Sequence, residues 1–172
     1  EICKTVGDDY EASTQFIAKY MLSNLGTGKK FSDESGEMVT EDIAKAKSLL
    51  AEAGYPNGAG FPTVTYNYPN IAQAIQAQLK SALNINVELN GMESQVCVSE
   101  RKSGNFDMTR HNWTADYDDA MDYLLMWTST SGLNDAGIKD ADYDKLCEDA
   151  TAELDETKRN TIMHDAEKLL VT

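Results

Sequence analysis

Basic residues are scarce in this chain of 172 residues: 15 Lys and Arg stand against 29 Asp and Glu, a net charge of −14. Such a surface repels nucleic-acid phosphates and anionic lipid headgroups, which argues against both as partners. It tolerates a cationic or zwitterionic ligand. Long apolar runs are missing too. Nothing approaches the roughly 18 residues needed to span a bilayer, and no basic stretch followed by an apolar one opens the chain. Histidine is limited to His111 and His164, too few and too separated to hold a metal. The cysteines Cys3, Cys97 and Cys147 are odd in number, widely spaced and without a CxxC pair, which excludes a zinc ribbon or thioredoxin-like site. Cys97 and Cys147 lie in apolar helical patterns and read as buried free thiols; a disulfide between two of the three stays open for an extracellular setting. No GxSxG, phosphate-binding GxxxxGK or HExxH motif occurs. Asp140, Asp142 and Asp144 begin like a calcium loop, but Lys145 replaces the required glycine and Thr151 holds the twelfth position. They read instead as charges opposing a helix dipole.

With 41% hydrophobic and 26% charged residues, the composition is that of a globular domain or one lobe of a larger protein. The abrupt start at Glu1-Ile2-Cys3-Lys4 and the apolar pattern still running at Leu169-Leu170-Val171 suggest an excised or processed segment.

Phe16, Ile17, Tyr20 and Met21 have helical spacing within 8–25, and glycines and serines over 26–39 suggest a loop. Thr40 is placed to cap a helix with the stripe Ile43, Ala46, Leu49, Leu50 and Ala53. Gly54 suits its left-handed end and Pro56 forbids continuation. Val64, Tyr66 and Tyr68 alternate with polar residues, as do Ile85, Val87 and Leu89, the period of half-buried strands. Between them Asn70 can cap a helix carrying Ile71, Ile75, Leu79 and Leu83. The result is a βαβ unit whose two strands should be parallel. A short helix over 93–102 with Val96 and Cys97 inward follows, then a third strand running from Phe106 through Met108 into Arg110-His111-Asn112-Trp113. Helices around 119–128, over 141–153 with Leu154 on the apolar face, and over 156–170 complete the chain. The fold class is α/β: a small sheet with a βαβ unit, flanked by helices that outnumber the strands.

Several segments in order resemble one family. Ala53-Gly54-Tyr55-Pro56-Asn57-Gly58 followed by Gly60-Phe61-Pro62 looks like the AGYPxGxGFP segment of family 5 extracellular solute-binding proteins, the oligopeptide, dipeptide and nickel receptors of ABC importers. Leu83-Asn84-Ile85-Asn86-Val87-Glu88-Leu89 is similar to their LGINVxL strand entry, Gly104-Asn105-Phe106-Asp107-Met108 to GxFDM, and Trp113-Thr114-Ala115-Asp116-Tyr117 to WxADY. Asn134 and Tyr143-Asp144 match later positions, so the resemblance covers roughly residues 40–170. It implies one lobe of a type II periplasmic-binding-protein fold. Residues 1–172 would form a single domain, with 1–39 as lead-in and 40–172 as the core of a C-terminal lobe. It departs from the family at Asn84, which replaces a glycine, at Ala120, which replaces a proline and loosens a helix start, and at Ser94, which replaces an aromatic of the peptide receptors.

The function this resemblance implies is capture of short peptides outside the cell, as a periplasmic or lipid-anchored receptor. The anchor would lie outside this segment, the receptor would be a monomer, an ABC permease would be the partner, and no cofactor or catalytic residue is expected. A receptor indifferent to ligand sequence should hold the peptide backbone by strand addition and pin its charged ends. Asp116 is the expected partner of the ligand's α-ammonium; the competing reading is a cap for a helix starting near Asp118. Backbone groups of Asn112 and Thr114 suit strand pairing, and Trp113 suits either a stacking wall or a core role. Arg110 and Arg101 offer bidentate forks for the ligand carboxylate, or ordinary salt bridges. A receptor of the same fold for nickel, a sugar or an opine-like solute is the alternative. A small acidic enzyme built on Asp116, Asp118 and Asp119 is the remote one.

Overall fold

Three stretches of alternating apolar sequence meet in one ladder, and a computed structural model describing residues 11–24, 28–68 and 72–172 gives its register. Strand β3 (Val64–Tyr68) lies at the centre, after a short pair β1 (Leu22–Asn24) and β2 (Lys29–Lys30) earlier in the chain. It runs parallel to β4 (Val87–Gly91), with Val64 opposite Val87 and Tyr68 opposite Gly91, and parallel to β5 (Met108–Thr109) on its other side. The helices are α1 (Phe31–Ser35), α2 (Ile43–Glu52), α3 (Ala72–Leu83), α4 (Ser94–Lys102), α5 (Met121–Leu124), α6 (Ala141–Ala152) and α7 (Glu156–Val171). No helix among the described residues is long and apolar enough to cross a membrane. The described residues gather into two compact units, one of 11–12 and 41–111, the other of 13–40 and 112–172.

The first unit holds the parallel sheet. Tyr66, Ala72, Ile85 and Val87 form its buried centre, with Leu50, Phe61, Ile75 and Leu79 packed against them. Asn67 is buried at 4% exposure, a cost met by hydrogen bonds: its amide donates to the Asn105 carbonyl at 2.8 Å and accepts from Asn90 at 3.1 Å. Left-handed positions are where the sequence suggested. Gly54 ends α2 with φ +95°, and Asn84 adopts φ +57° in place of a glycine. Gly58 has φ +71°, and a Cβ there would fall 2.3 Å from the Leu83 carbonyl oxygen, so only glycine fits. The cap of α2 is not Thr40 but Asp42, whose side chain accepts from the Lys45 N–H at 2.8 Å. Cys97 faces inward on α4, whereas Val96 is 49% exposed. The third strand stops at Thr109: the next carbonyl, that of Arg110, accepts from Arg101 Nη1 at 3.1 Å instead of from a ladder partner. Asn70, the expected cap of α3, and Cys3 lie outside the described residues.

The second unit is a helical core. Ile17, Met21, Phe31, Leu124, Tyr143, Cys147, Met163 and Ala166 are buried together. Here the expected helix over 8–25 fails across its described part, since 11–21 contains no helix and 22–24 is strand. Glu167, fully buried, accepts from the Phe16 and Ile17 N–H groups at 2.9 and 2.8 Å, donors that a helix would have used internally. Burying Ile17, Met21 and Phe31 gains about 1.5–3 kcal/mol each, against at most about 0.7 kcal/mol per residue of helix propensity. Tertiary packing wins. The expected loop over 26–39 contains β2 and α1, because Phe31 enters the core and Ser35 Oγ donates to Glu167 at 3.0 Å. Helix α6 ends at Ala152 and leaves Leu154 in the connection, 95% exposed. The chain must turn out there so that Asp155 can cap α7 at the Lys158 N–H, 3.0 Å away. Cys97 and Cys147 are free and buried. Asp140 caps α6 through the Asp142 and Tyr143 N–H groups at 2.9 and 3.0 Å.

Candidate functional site

Residues 113–116 of the second unit belong to no helix or strand, so side chains must hold them. Asp122, in the first turn of α5 and buried at 8% exposure, does this. Its Oδ2 accepts from the Trp113 indole Nε1–H at 2.7 Å and from the Asp116 backbone N–H at 3.1 Å. The Ala115 N–H donates to the Tyr20 hydroxyl at 3.5 Å, and that hydroxyl shares a 2.6 Å hydrogen bond with Tyr123.

The other acids nearby are engaged in the fold. Asp118 accepts from the Leu22 N–H at 2.9 Å. Asp119 accepts from the Met121 N–H at 2.8 Å and takes a bidentate fork from Arg159, with Nη1 at 2.7 Å and Nη2 at 3.1 Å. The helix start that Ala120 was expected to loosen is fixed by that pair. Asp116 therefore does not cap the helix. Its carboxylate is exposed and accepts no hydrogen bond among the described residues. Burial first, then the Asp122, Asp119 and Asp116 charges against Arg159, hold the Tyr117 phenol above its ordinary value. Burial, then the hydrogen bond with Tyr20, does the same to Tyr123.

Trp113 is half-buried and packs against the second unit's core, so its ring is partly structural. Asn112 and Thr114 are exposed, and their backbone groups make no hydrogen bond among the described residues. Arg101 and Arg110 are in the first unit, joined by the 3.1 Å bond already described. Arg110 directly follows β5, at the carboxyl end of a parallel strand, where open α/β sheets take their ligands. Its charge partly offsets the burial that raises the Tyr66 phenol. Asp122 and Tyr20 were missed in the sequence; only the density of acids after Trp113 hinted at the first. No group of three His, Cys, Asp or Glu side chains able to hold a metal occurs among the described residues. A cavity of about 180 Å³ in the second unit is lined by Leu22, Ser23, Asp118, Asp119, Glu156, Arg159 and Asn160, none of them an expected ligand residue. Asn134, matched by the resemblance, ties its loop by donating to the Thr128 and Ile138 carbonyls at 3.2 and 2.7 Å.

Known proteins place the chain. The family described as bacterial extracellular solute-binding proteins, family 5, middle part, matches residues 1–135. The dipeptide-binding protein DppE of Bacillus subtilis is 33% identical over 152 residues, 84% of this chain and 28% of that protein. A probable deoxycholate-binding periplasmic protein of Escherichia coli, YgiS, is 34% identical over 145 residues, 80% of this chain and 27% of that one. The solved oligopeptide-binding protein OppAIV of Borrelia burgdorferi superposes with a TM-score of 0.74 at 34% identity, over 79% of this chain and 29% of that one. The substrate-binding domain of an oligopeptide ABC transporter of Bacillus anthracis superposes with a TM-score of 0.85 at 23% identity, over 94% of this chain and 33% of that one, a likeness of fold. The chain thus spans less than a third of the length of the curated relatives named here.

Proposed function

The chain belongs to the family 5 bacterial extracellular solute-binding proteins, and from that premise we propose that it is part of a receptor that captures short peptides for an ABC importer. It acts by binding and not by catalysis. One observation carries the peptide reading: of the acids Asp116, Asp118, Asp119 and Asp122, three are engaged in the fold while the Asp116 carboxylate stays exposed. A carboxylate kept available in a negative field suits a ligand ammonium, and a charge-assisted bond there is roughly twice as strong as a neutral one. Asn112 and Thr114 offer backbone groups for strand pairing and Trp113 an apolar wall. The guanidinium groups of Arg101 and Arg110 offer the chemistry for a ligand carboxylate.

The relatives' lengths support a larger receptor, of which this chain would be the core of a C-terminal lobe in a two-lobed clamp. A monomer working outside the cytoplasm with an ABC permease, anchored if at all by a lipid outside this segment, fits the family. A peptide-binding and a deoxycholate-binding relative are almost equally identical to the chain, so identity alone does not choose the solute. Asp116 favours the cation over a steroid acid, whose own carboxylate it would repel.

The test is titration calorimetry on the full-length receptor with free and N-acetylated tripeptides. Asp116→Asn should weaken binding of the free peptide by more than about a hundredfold, as for one lost partner of a desolvated ion pair, and barely change the acetylated one. Unchanged affinity for the free peptide would remove Asp116 from the site.

A further inference from the structure

A short irregular segment with a charge at its tip is a poor recognition element unless something stiffens it, because each rotatable side chain immobilised on binding weakens the complex. Both ends of residues 113–116 are held from beneath by one atom, while the Ala115 N–H between them reaches the Tyr20 hydroxyl. Asp122 Oδ2 accepts both the Trp113 indole N–H at 2.7 Å and the Asp116 backbone N–H at 3.1 Å, while Asp122 itself is buried at 8% exposure. The two donors lie three residues apart in sequence and belong to different kinds of group, a ring and a peptide unit. A single oxygen therefore couples the plane of the Trp113 ring to the main chain that carries the Asp116 carboxylate.

Resting on the peptide reading above, we infer that Asp122 is the positioning residue that makes this segment selective for a free ammonium end. Its role has two parts. The first is geometric: with its N–H held inward, Asp116 keeps its main chain fixed and its carboxylate exposed. The second is electrostatic: a buried carboxylate behind an exposed one deepens the negative potential at the spot where a cation would sit. A hydroxyl or amide at position 122 can supply the first part; only an acid supplies both. Asp119 cannot substitute, since its two oxygens are held by the Arg159 fork and the Met121 N–H and take neither the Trp113 nor the Asp116 N–H.

The experiment uses the full-length receptor and reads the ratio of affinities for free and N-acetylated trialanine by calorimetry, together with the Trp113 indole N–H resonance. Asp122→Asn keeps an acceptor and loses the charge, so the ratio should fall about tenfold with a modest upfield move of the indole proton. Asp122→Ala should lower the ratio by about a hundredfold and speed indole exchange with solvent. Trp113→Phe, which removes one donor without touching the acid, should weaken both peptides alike and leave the ratio near that of wild type. A wild-type ratio in Asp122→Asn and in folded Asp122→Ala would overturn the inference alone. A wild-type receptor that binds both peptides equally would remove the ammonium role of Asp116 and this inference with it, and one that binds neither would overturn the peptide reading as well.

Discussion

The two units satisfy their backbones by different means. In the unit that holds residues 41–111, the central elements largely satisfy themselves: β3, β4 and β5 exchange ladder bonds in register, the turns close locally, as at Gly54 and Asn84, and a distant carboxylate enters at the Thr65 N–H, which donates to Asp107 at 2.8 Å. In the unit of 13–40 and 112–172, carboxylates do much of that work. Glu167 takes the N–H groups of Phe16 and Ile17 and Asp118 that of Leu22, all from far away in sequence, and Asp122 takes that of Asp116 from six residues on. An acidic chain can use its surplus charge as structure, and a segment held that way ends where its acceptor sits, not where its own periodicity would stop.

The sharpest way to break this comparison is Glu167→Ala. Two backbone donors, those of Phe16 and Ile17, lose their acceptor, and Ser35 loses one of its partners. We expect a loss of about 3–5 kcal/mol, with hydrogen-exchange protection lost around Phe16, Ile17 and α1 and retained at Val64–Tyr68. Equal loss of protection in the sheet would erase the distinction between the units. Gly58→Ala is the counterpart in the first unit. A side chain there meets the Leu83 carbonyl oxygen and a left-handed backbone, at a cost of about 2–3 kcal/mol. Its effect should appear at the start of β4 and spare α6 and α7; urea unfolding followed by exchange distinguishes the outcomes.

Tyr143→Phe is milder. It removes the 2.7 Å bond from the Tyr143 hydroxyl to the Leu124 carbonyl and should lower the urea midpoint by the equivalent of about 1–2 kcal/mol. The smallest effect is a pH slope from His164. Burial, only partly opposed by the charges of Glu167, Glu34 and Asp165, holds its imidazole below the ordinary 6.5. As pH falls below 6.5 the unfolded chain takes up this proton before the folded one does. Stability of the second unit should therefore decline until the lower folded value is passed, and stay level above 6.5. His164→Phe, which keeps the stack on Phe31, should flatten that part of the urea-midpoint profile; an unchanged slope would assign it elsewhere.

How much of this was legible in the sequence follows the same division. Alternation at Val64, Tyr66 and Tyr68 and again at Val87 and Leu89 located two strands, and Gly54 located the end of α2, because these signals are local. The 13–40 segment was misread because its decisive acceptor, Glu167, is 150 and 151 residues away from Ile17 and Phe16, a distance no periodicity spans. At the site, Trp113 and Asp116 were visible through resemblance to a family. Asp122 was not: among 29 acidic residues nothing marks which one faces inward.

Asp116 is proposed to serve a ligand with a free ammonium end. The most direct measurement is mass spectrometry of the ligand released from the full-length receptor after native purification. Short peptides of mixed sequence with unblocked N-termini are expected. Release of a steroid acid or a sugar as the bound species, with peptides absent, would contradict it.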